Sequence, residues 1–454
     1  MDGAAAIGAT NLTRTLAERA GAVTYDALPE NVRELARQCV LDYLGVGLAG
    51  SDDPLARILL DDANEAGGAP QAAVIGHGAR LPVLSAALVN GAIAHALDYD
   101  DVNLAMPGHP SVAILPALLA LAEERKSSGK AVIAAFVAGY ETCCRIGMAM
   151  RPGHYTRGFH ATGTVGAFGA AAACAHLLGL DAEATARALG IAGTQSAGLK
   201  SQFGTMCKPF HAGKAAQNGL LGARLAARGF SSRPDLVECV QGFAATHAPE
   251  FYPEKALAEP KHGFHVFANL FKYHAACYMT HAPIECGRQL REQFGAAPAE
   301  IAAIALKLHS ATDRVCNIPA PTDGLEAKFS LRQTVAMALA GVDTASLGAY
   351  SVATATDPAL VALRERVSLD FREDFPEAGA EIEVELKDGR KASATFDAGI
   401  PNADIADQGA RLAEKFDALA VPVVGGARAR ELRETVAGLD GLKDTSVLTK
   451  LAGK

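Results

Sequence analysis

The sequence predicts a mainly α-helical protein with a large all-helical domain and a smaller α+β domain. Half of its 454 residues are apolar, whereas aromatic residues make up only 6% and tryptophan is absent. This alanine-rich composition favours closely packed helices over a β-sandwich. Amphipathic helical segments follow one another through about residue 270, and alternating, strand-like segments appear only beyond that point.

The helical segments of the first part are separated by short joints that contain glycine or proline. Gly67 and Gly68, for example, follow the third segment and predict its end. A chain of helices with short joints indicates one large helical domain. The predicted helices are Asn11–Ala22, Pro29–Ala49, Pro54–Ala66, Leu84–Leu97, Pro110–Glu124, Lys130–Met150, Gly163–Leu178, Ala182–Ser196 and Ala212–Arg228.

The later part alternates between strand-like and helical segments. A D-G pair joins two alternating runs and predicts a β-hairpin. Helical periodicity returns after Pro401, so we predict a large domain formed by 1–268 and 402–454 and a smaller α+β lid domain formed by 269–401. The predicted strands are Ile301–Leu308, Val367–Phe371, Ala380–Leu386 and Lys391–Phe396, and the predicted helices are Ser330–Leu339, Asp357–Arg364, Asp404–Leu419 and Ala427–Gly438.

Charge and cysteine content exclude several classes of protein. The formal net charge of −8 and the lack of a lysine or arginine run argue against a nucleic-acid partner. The nine cysteines are scattered without zinc spacing, which suits free thiols in the cytoplasm. The N-terminus lacks a basic signal region, and the apolar run Ser111–Ala122 is too short to span a bilayer. We therefore expect a cytoplasmic protein without a membrane partner.

The stretch from Arg151 to Lys214 carries the most candidate chemistry. His154 and His160 lie in a glycine-broken loop before a run of small residues, where Gly163, Gly166 and Gly169 predict a smooth helix face. Lys208 and His211 immediately precede the predicted helix Ala212–Arg228. A cation and a histidine at a helix start suit a carboxylate or phosphate, because backbone N–H groups are free there. Each histidine taken alone is better explained as an ordinary core or surface residue, whereas two such clusters in one stretch favour a site.

A second candidate stretch runs from Asn90 to His109. If the predicted helix persists, His95, Asp98 and Val102 share one face, and His109 can fold back towards the carboxylates after a Pro-Gly turn. Asp98, Asp101 and His109 could bind a divalent metal, or a carboxylate could orient a histidine. A helix end with solvated acids is the simpler alternative. No strong metal motif is present, so we predict no metal ligand set.

A third stretch, Lys272 to His281, lies where the two predicted domains join. It contains Lys272, Cys277 and His281. Ligand sites favour such joints, although a basic, solvated helix start is the alternative.

Taken together, these stretches resemble the MmgE/PrpD family over essentially the whole chain. The resemblance lies in the segments N-G-A-I-A-H-A-L-D-Y-D-D, G-H-Y-T-R-G-F-H-A-T-G-T-V-G, K-P-F-H-A-G-K-A-A and E-A-K-F-S-L. That family contains 2-methylcitrate dehydratases, cis-aconitate decarboxylases and iminodisuccinate epimerases. The resemblance implies a helical domain with a smaller α+β lid, a homodimer, and no metal or organic cofactor.

The resemblance also implies site residues. Asp98, His109, His160, Lys208 and Lys272 match the pocket of the decarboxylase branch. Three further positions depart from it: Val102 replaces threonine, Cys277 replaces histidine and Gln333 replaces tyrosine. The segment around Lys208 is more similar to bacterial dehydratases and to the epimerase. We expect His211 and His154 to contribute to substrate binding as well.

These residues predict a metal-free lyase or isomerase that moves a proton beside a carboxylate of a small di- or tricarboxylic acid. We expect His160 to be the base, His109 the acid or second base, and Asp98 to orient an imidazole. Lys208 and Lys272 would hold the developing negative charge. A 2-methylcitrate dehydratase-like hydro-lyase is the first hypothesis. The alternatives are an iminodisuccinate epimerase, a cis-aconitate decarboxylase, a metal-dependent hydratase and an inactive binding protein.

Overall fold

Helices dominate this computed structural model, which describes residues 11–295 and 298–453. About 60% of the chain is helical and 10% is strand, which confirms the predicted fold class of a mainly α protein with a smaller α+β part. The chain divides into two compact units. One comprises Met1–Phe271 and Ala403–Lys454, and the other comprises Lys272–Asn402.

The first unit is a helical assembly with two minimal strand pairs. Strand Ala72–Ala73 pairs with Arg80–Leu81, and Val102–Asn103 pairs with Asn269–Leu270. The described helices are Leu12–Gly21, Glu30–Gly50, Pro54–Ala66, Val83–His95, Pro110–Arg125, Gly129–Met150, Gly153–Thr156, Ala161–Leu177, Ala182–Gly193, Cys207–Ala226, Phe243–His247, Pro253–Leu257, Ile405–Val424, Gly426–Ala437 and Ser446–Ala452.

The core of this unit is packed by small residues on the Ala161–Leu177 helix. A Cβ added at Gly166 would lie 2.6 Å from Ala113 Cβ, and one at Gly169 would lie 3.0 Å from Cys143 Cβ. These separations leave no room for a side chain, so the neighbouring helices approach the glycines closely. The predicted smooth helix face is therefore confirmed at these two positions.

Several predicted helix boundaries differ from the structure, and two of these errors concern candidate site residues. The helix expected over Leu84–Leu97 ends at His95, so Asp98 and Val102 do not share a helical face with His95. The helix expected to begin at Ala212 begins at Cys207, so Lys208 and His211 lie in its first turns. Its N-cap residue, Met206, makes no side-chain cap hydrogen bond, so a common sequence signal of a helix start is missing there.

One helix, Gly129–Met150, has the length and apolar composition that crossing a membrane requires. However, 89% of its most apolar window is buried inside the fold. A helix at the centre of a protein core passes the same test, so this segment is weak support for a membrane span.

The second unit contains a four-stranded sheet and several helices. Its strand order is Val367–Arg372, Ile301–His309, Gly379–Leu386, Lys391–Asp397, with the first pair parallel and the others antiparallel. The last two strands form the hairpin that the D-G pair predicts. Its described helices are His281–Phe294, Asp313–Cys316, Gly324–Lys328, Leu331–Ala340, Val352–Ala355 and Pro358–Arg364.

Candidate active site

The candidate site begins where the chain turns after the Val83–His95 helix. Asp98 has a φ of 50°, in the left-handed region, and its N–H donates to the carbonyl of His95 at 3.2 Å. Aspartate and asparagine tolerate this region better than most residues do. The turn brings the chain back, so that Asp100 lies against the His95 ring.

Asp100 lies between two imidazoles. Its Oδ1 is 2.9 Å from His95 Nδ1, and its Oδ2 is 2.9 Å from His109 Nδ1. His95 and Asp100 are each 1% exposed, and His109 is 8% exposed. Because an ionised carboxylate can only accept a hydrogen bond, the Nδ1–H of His95 donates to Asp100. Asp100 thereby fixes how this ring is oriented, and it lies where it can do the same for His109.

His109 reaches Asp100 because the chain makes a short turn between Asn103 and Gly108. The Asn103 N–H donates to the Gly108 carbonyl at 2.9 Å, and His109 then precedes the Pro110–Arg125 helix. The His109 N–H donates to Thr162 Oγ1 at 3.1 Å, which ties this helix start to the next one. The prediction that His109 folds back towards the carboxylates is confirmed, since its Nε2 also lies 3.6 Å from Asp98 Oδ1.

His160 occupies the equivalent position before the Ala161–Leu177 helix. Its Nδ1 lies 3.1 Å from Nδ1 of His211, so one ring donates and the other accepts. Its ring is stacked with that of His95 at 5.8 Å between centroids, and its centroid lies 6.5 Å from that of His109. Four histidines, namely His95, His109, His160 and His211, therefore lie within one cluster.

Lys208 supplies a positive charge at the edge of this cluster. Its Nζ lies 2.6 Å from Asp98 Oδ1, and the side chain of Asp98 is 43% exposed. Phe203 lies beside Lys208 and His160. The centroid of its ring is 5.4 Å from Lys208 Nζ and 5.0 Å from the centroid of the His160 ring. Solvent therefore reaches the cluster at Asp98, whose side chain is half-exposed.

Three helix N-termini meet at these side chains. The helices that begin at Pro110 and Ala161 are joined through the bond between His109 and Thr162. A Cβ at Gly163 would lie 2.9 Å from His211 Cβ, which places the first turns of the Cys207–Ala226 helix against the second of these starts. The dipoles of helix starts favour anions. Together with Lys208 they suit a substrate that carries carboxylates.

Burial and neighbouring charges hold several of these groups in one protonation state. Burial lowers the pKa of His95 to about 4, although the Asp100 charge opposes this shift. Burial lowers the pKa of His160 well below its usual value, and His95 and Lys208 lower it further. For Asp100, burial would raise the pKa, but His109 and His95 together bring it well below its usual range. His160 is therefore neutral and Asp100 ionised near neutral pH.

Asp101 belongs to a different set of contacts. Its Oδ2 accepts from Ser111 Oγ at 2.5 Å, and burial, together with the charge of Asp42, raises its pKa to about 7. The cluster whose ligand atoms lie within 4.8 Å of one another consists of His95, Asp98, Asp100 and His109. The metal set considered from sequence, with Asp101, is therefore wrong in that member.

The remaining candidate residues of the first unit have other surroundings. Val102 is buried in the strand that pairs with Asn269–Leu270. His154 is buried, its Nδ1–H donates to the carbonyl of His247, and its Nε2 accepts from Thr164 Oγ1 at 2.7 Å; the same hydroxyl oxygen lies 3.2 Å from the carbonyl oxygen of His160. His154 therefore contacts the backbone of His160 through Thr164. Its expected role in substrate binding stays a prediction.

Three candidate residues belong to the second unit. Lys272 is buried, and its charge adds to the effects of burial and His274 in lowering the pKa of His281. Cys277 is a partly buried cysteine whose backbone N–H donates to the carbonyl of Lys328. Gln333 is buried, with its amide hydrogen-bonded to Thr354 and Arg364. Their roles as substrate contacts stay predictions.

Asp100, Phe203 and His95 lie in the cluster but are not among the site residues that the sequence predicts. The D-Y-D-D segment does signal an acidic group near His95, but periodicity cannot tell which acid turns inward. That choice follows from the left-handed turn at Asp98. Phe203 lies in a loop before the Cys207–Ala226 helix and carries no local signal of its contact with His160.

The site as a whole places Lys208 and three helix starts beside a cluster of imidazoles. Comparison with known proteins identifies the family. Models of the MmgE/PrpD N-terminal domain and C-terminal domain match residues 14–255 and 274–441, and the chain belongs to the MmgE/PrpD family.

Its relatives include enzymes from fungi and mammals. The cis-aconitate decarboxylase of Aspergillus terreus (strain NIH 2624 / FGSC A1156) is 28% identical over 97% of this chain and 96% of its own length. The cis-aconitate decarboxylase of Homo sapiens is 28% identical over 97% of this chain and 94% of its own length. A cis-aconitate decarboxylase-like protein of Aspergillus oryzae is 33% identical over 59% of each chain.

Proposed function

We propose that this protein is a lyase that transfers a proton at a carbon beside a carboxylate of a small di- or tricarboxylic acid. One observation carries the proposal. Lys208 and three helix N-termini surround His109 and His160, so groups that attract carboxylates adjoin groups that can accept and donate protons. Membership of an enzyme family with decarboxylase relatives supports the lyase class.

The proposed chemistry gives each residue a role that its surroundings support. His160 is the base, because burial and nearby positive charges keep its imidazole neutral. His109 is the acid, because both of its ring nitrogens face carboxylates, Asp100 at 2.9 Å and Asp98 at 3.6 Å. Asp100 orients His109, so it takes over the positioning role that the sequence suggested for Asp98.

The negative charge that develops during proton removal needs separate stabilisation. Lys208 and the helix starts provide fixed positive potential where the carboxylate oxygens gain charge. Asp98 holds Lys208 Nζ at 2.6 Å and so keeps the ammonium in place when no substrate is bound. A preorganised donor of this kind typically contributes about 3–4 kcal/mol to the barrier reduction.

The first candidate reaction is dehydration of a 2-methylcitrate-like hydroxy acid. His160 removes the proton next to the carboxylate, and the electron pair forms the C=C bond. The C–O bond breaks as His109 protonates the departing hydroxyl, and water leaves. This reaction uses one base and one acid, and the cluster offers two imidazoles with separate partners, His211 for His160 and Asp100 for His109.

The second candidate is decarboxylation of cis-aconitate, which the similarity to the decarboxylases of Aspergillus terreus and Homo sapiens favours. Here carbon dioxide leaves and a proton is delivered to carbon, so a single proton donor suffices. The replacements at Val102, Cys277 and Gln333 place this candidate second. An epimerase and an inactive binding protein are outcomes that the same experiment distinguishes.

A substrate panel tests the proposal directly. The protein is incubated in D₂O with citrate, 2-methylcitrate, cis-aconitate and iminodisuccinate, and proton NMR follows each acid. New vinyl signals from a hydroxy acid support dehydration, whereas itaconate with carbon dioxide release supports decarboxylation. Deuterium uptake with stereochemical inversion identifies an epimerase. If none of these acids changes or exchanges a proton, the proposed lyase function is wrong.

A substitution tests the base. His160→Ala should lower kcat/KM by about 100-fold or more, because loss of a general base typically costs that much. The melting temperature should change little. His262→Gln is the matched control, since this exposed histidine contacts Phe267 and lies outside the cluster. If His160→Ala retains more than about a tenth of the activity, His160 is not the base.

A further inference from the structure

We propose that His95, Asp98, Asp100 and His109 bind one transition-metal ion such as Zn²⁺, and that this ion inhibits the proposed reaction. The metal would act as a reversible blocker of the cluster and not as a cofactor. Binding follows from the ligand geometry alone, whereas inhibition rests on the proposed function.

The four side chains are already close enough to share an ion. Each offers one nitrogen or oxygen atom, and these atoms all lie within 4.8 Å of one another. Asp100 is 2.9 Å from Nδ1 of His109, and its bond to the Nδ1–H of His95 leaves Nε2 as the nitrogen that this ring can offer to an ion. Ligand atoms around tetrahedral zinc with bonds of about 2.0 Å are separated by about 3.3 Å. Small shifts of these side chains would therefore admit an ion.

The chemistry of the four ligands selects among metals. Two imidazole nitrogens and two carboxylate oxygens suit Zn²⁺, Co²⁺, Ni²⁺ or Cu²⁺. Mg²⁺ and Ca²⁺ prefer sites made of oxygen ligands and should bind weakly here. Little solvent reaches the cluster, because His95, Asp100 and His109 are buried and only Asp98 is half-exposed.

One atom of the cluster gives independent support for a ligand. His95 Nε2 is buried and has no hydrogen-bond partner among the residues that the structure describes. A buried polar atom without a partner is costly, and natural structures usually satisfy it with water, an ion or a ligand. His95 can therefore present a ring nitrogen to a metal at little further desolvation cost.

Metal binding has to displace interactions that exist in the metal-free cluster. Lys208 Nζ, 2.6 Å from Asp98 Oδ1, competes with the ion for that carboxylate. Each imidazole must also present a lone pair to the ion.

Inhibition follows because the ion occupies groups that the proposed reaction needs. With its ring nitrogen on the metal, His109 cannot donate a proton to a leaving group. Lys208 is also released from Asp98, which changes the positive potential at the carboxylate-binding side. Added chelator should restore activity, since the ion makes no covalent change to the protein.

The test measures binding to the full chain after chelator treatment and dialysis. Isothermal titration with ZnCl₂ at neutral pH should show one site per chain with a dissociation constant of about 10 µM or tighter, and MgCl₂ should show none. His95→Gln and Asp100→Asn should each weaken this binding at least about tenfold, or about 1.4 kcal/mol. His262→Gln, an exposed histidine outside the cluster, should leave it unchanged. Circular dichroism establishes that each variant is folded.

A direct location of the ion completes the test. Anomalous scattering at the zinc edge, from crystals grown with ZnCl₂, should place one ion between His95 and His109. The proposal is wrong if the ion lies elsewhere, if both variants bind as the unsubstituted chain does, or if no site tighter than about 100 µM exists. Failure of the proposed function would instead appear as absent turnover with zinc binding intact.

Discussion

At the scale of single residues, Asp100 connects the fold to the chemistry. It is buried, ionised and placed between His95 and His109, so one carboxylate can orient two imidazoles. A histidine whose Nδ1–H is held in this way presents its other nitrogen in a defined direction. The precision of the site therefore depends on a residue that need not touch the substrate.

Replacing this carboxylate tests that role. Asp100→Asn should reduce kcat/KM by about 100-fold, because an amide can no longer accept from two ring N–H groups and His109 loses its orientation. A positioning role predicts that kcat falls more than KM rises, and that Asp100→Glu recovers part of the activity. Steady-state kinetics of both variants measures how the loss is divided between kcat and KM.

The neighbouring acid provides the matched control for this experiment. Asp101 is equally buried but pairs with Ser111 outside the cluster, so Asp101→Asn should lose far less activity than Asp100→Asn. Equal losses in the two variants would mean that general disturbance of this turn, and not the orientation of imidazoles, explains the effect.

At the scale of secondary-structure elements, the contact between the Val83–His95 and Cys207–Ala226 helices positions the cluster. Gly91 lies against Gly213, and a Cβ on Gly91 would be 2.7 Å from Gly213 Cα. The first helix ends at His95 and the second begins beside Lys208. Because the helices touch backbone to backbone, the two ends meet at the site without intervening side chains.

Adding one methyl group at this contact should disturb both stability and activity. Gly213→Ala would press its Cβ against the Leu88 carbonyl oxygen and should lower the free energy of unfolding by about 1–3 kcal/mol. Activity should fall too, because the helix that carries Lys208 is pushed away from His95. Urea unfolding and kcat/KM measure the two effects.

A glycine in open space serves as the control for this substitution. A Cβ at Gly21 has no neighbour within 4 Å, so Gly21→Ala should leave stability unchanged or raise it by about 1 kcal/mol at most. A Gly213→Ala protein as stable and as active as the Gly21→Ala protein would show that the helix contact is not tight.

At the scale of the whole molecule, buried ionisable groups make stability depend on pH. Burial lowers the pKa of His95, His154 and His265 to about 4, and it lowers the pKa of His160 and His281 well below the usual value. The unfolded chain binds protons at these histidines below about pH 6.5, whereas the folded chain does not. Their contribution to stability is therefore lost as the pH falls from about 6.5 towards 4.

Three buried acids oppose this trend but do not cancel it. Burial raises the pKa of Asp101 and Glu141 to about 7 and also raises the pKa of Glu238, so the protonated forms of these acids favour the folded state. Since the five histidines outnumber these three acids, stability should fall between about pH 6.5 and 5, by about 1.4 kcal/mol per pH unit for each excess proton. His154→Gln should make the dependence shallower. Urea midpoints that stay level or rise on acidification would contradict this balance.

Much of the architecture could be predicted because helical periodicity and small-residue patterns are local. The order of helices, the hairpin and the positions of His109 and His160 before two helices all follow from such patterns. The inward acid and the start of the Cys207–Ala226 helix could not be predicted in this way. The first depends on the single backbone angle at Asp98, and the second lacks a capping side chain. Both are settled by tertiary contacts.

The left-handed backbone at Asp98 restricts how that position can be studied. With a φ of 50°, it accepts asparagine or glycine with little penalty, whereas a branched or bulky residue would strain the turn. A conventional alanine scan would thus mix conformational damage with removal of charge, and its result would be ambiguous. Asp98→Asn keeps the turn and removes only the anion, which makes it the informative replacement there.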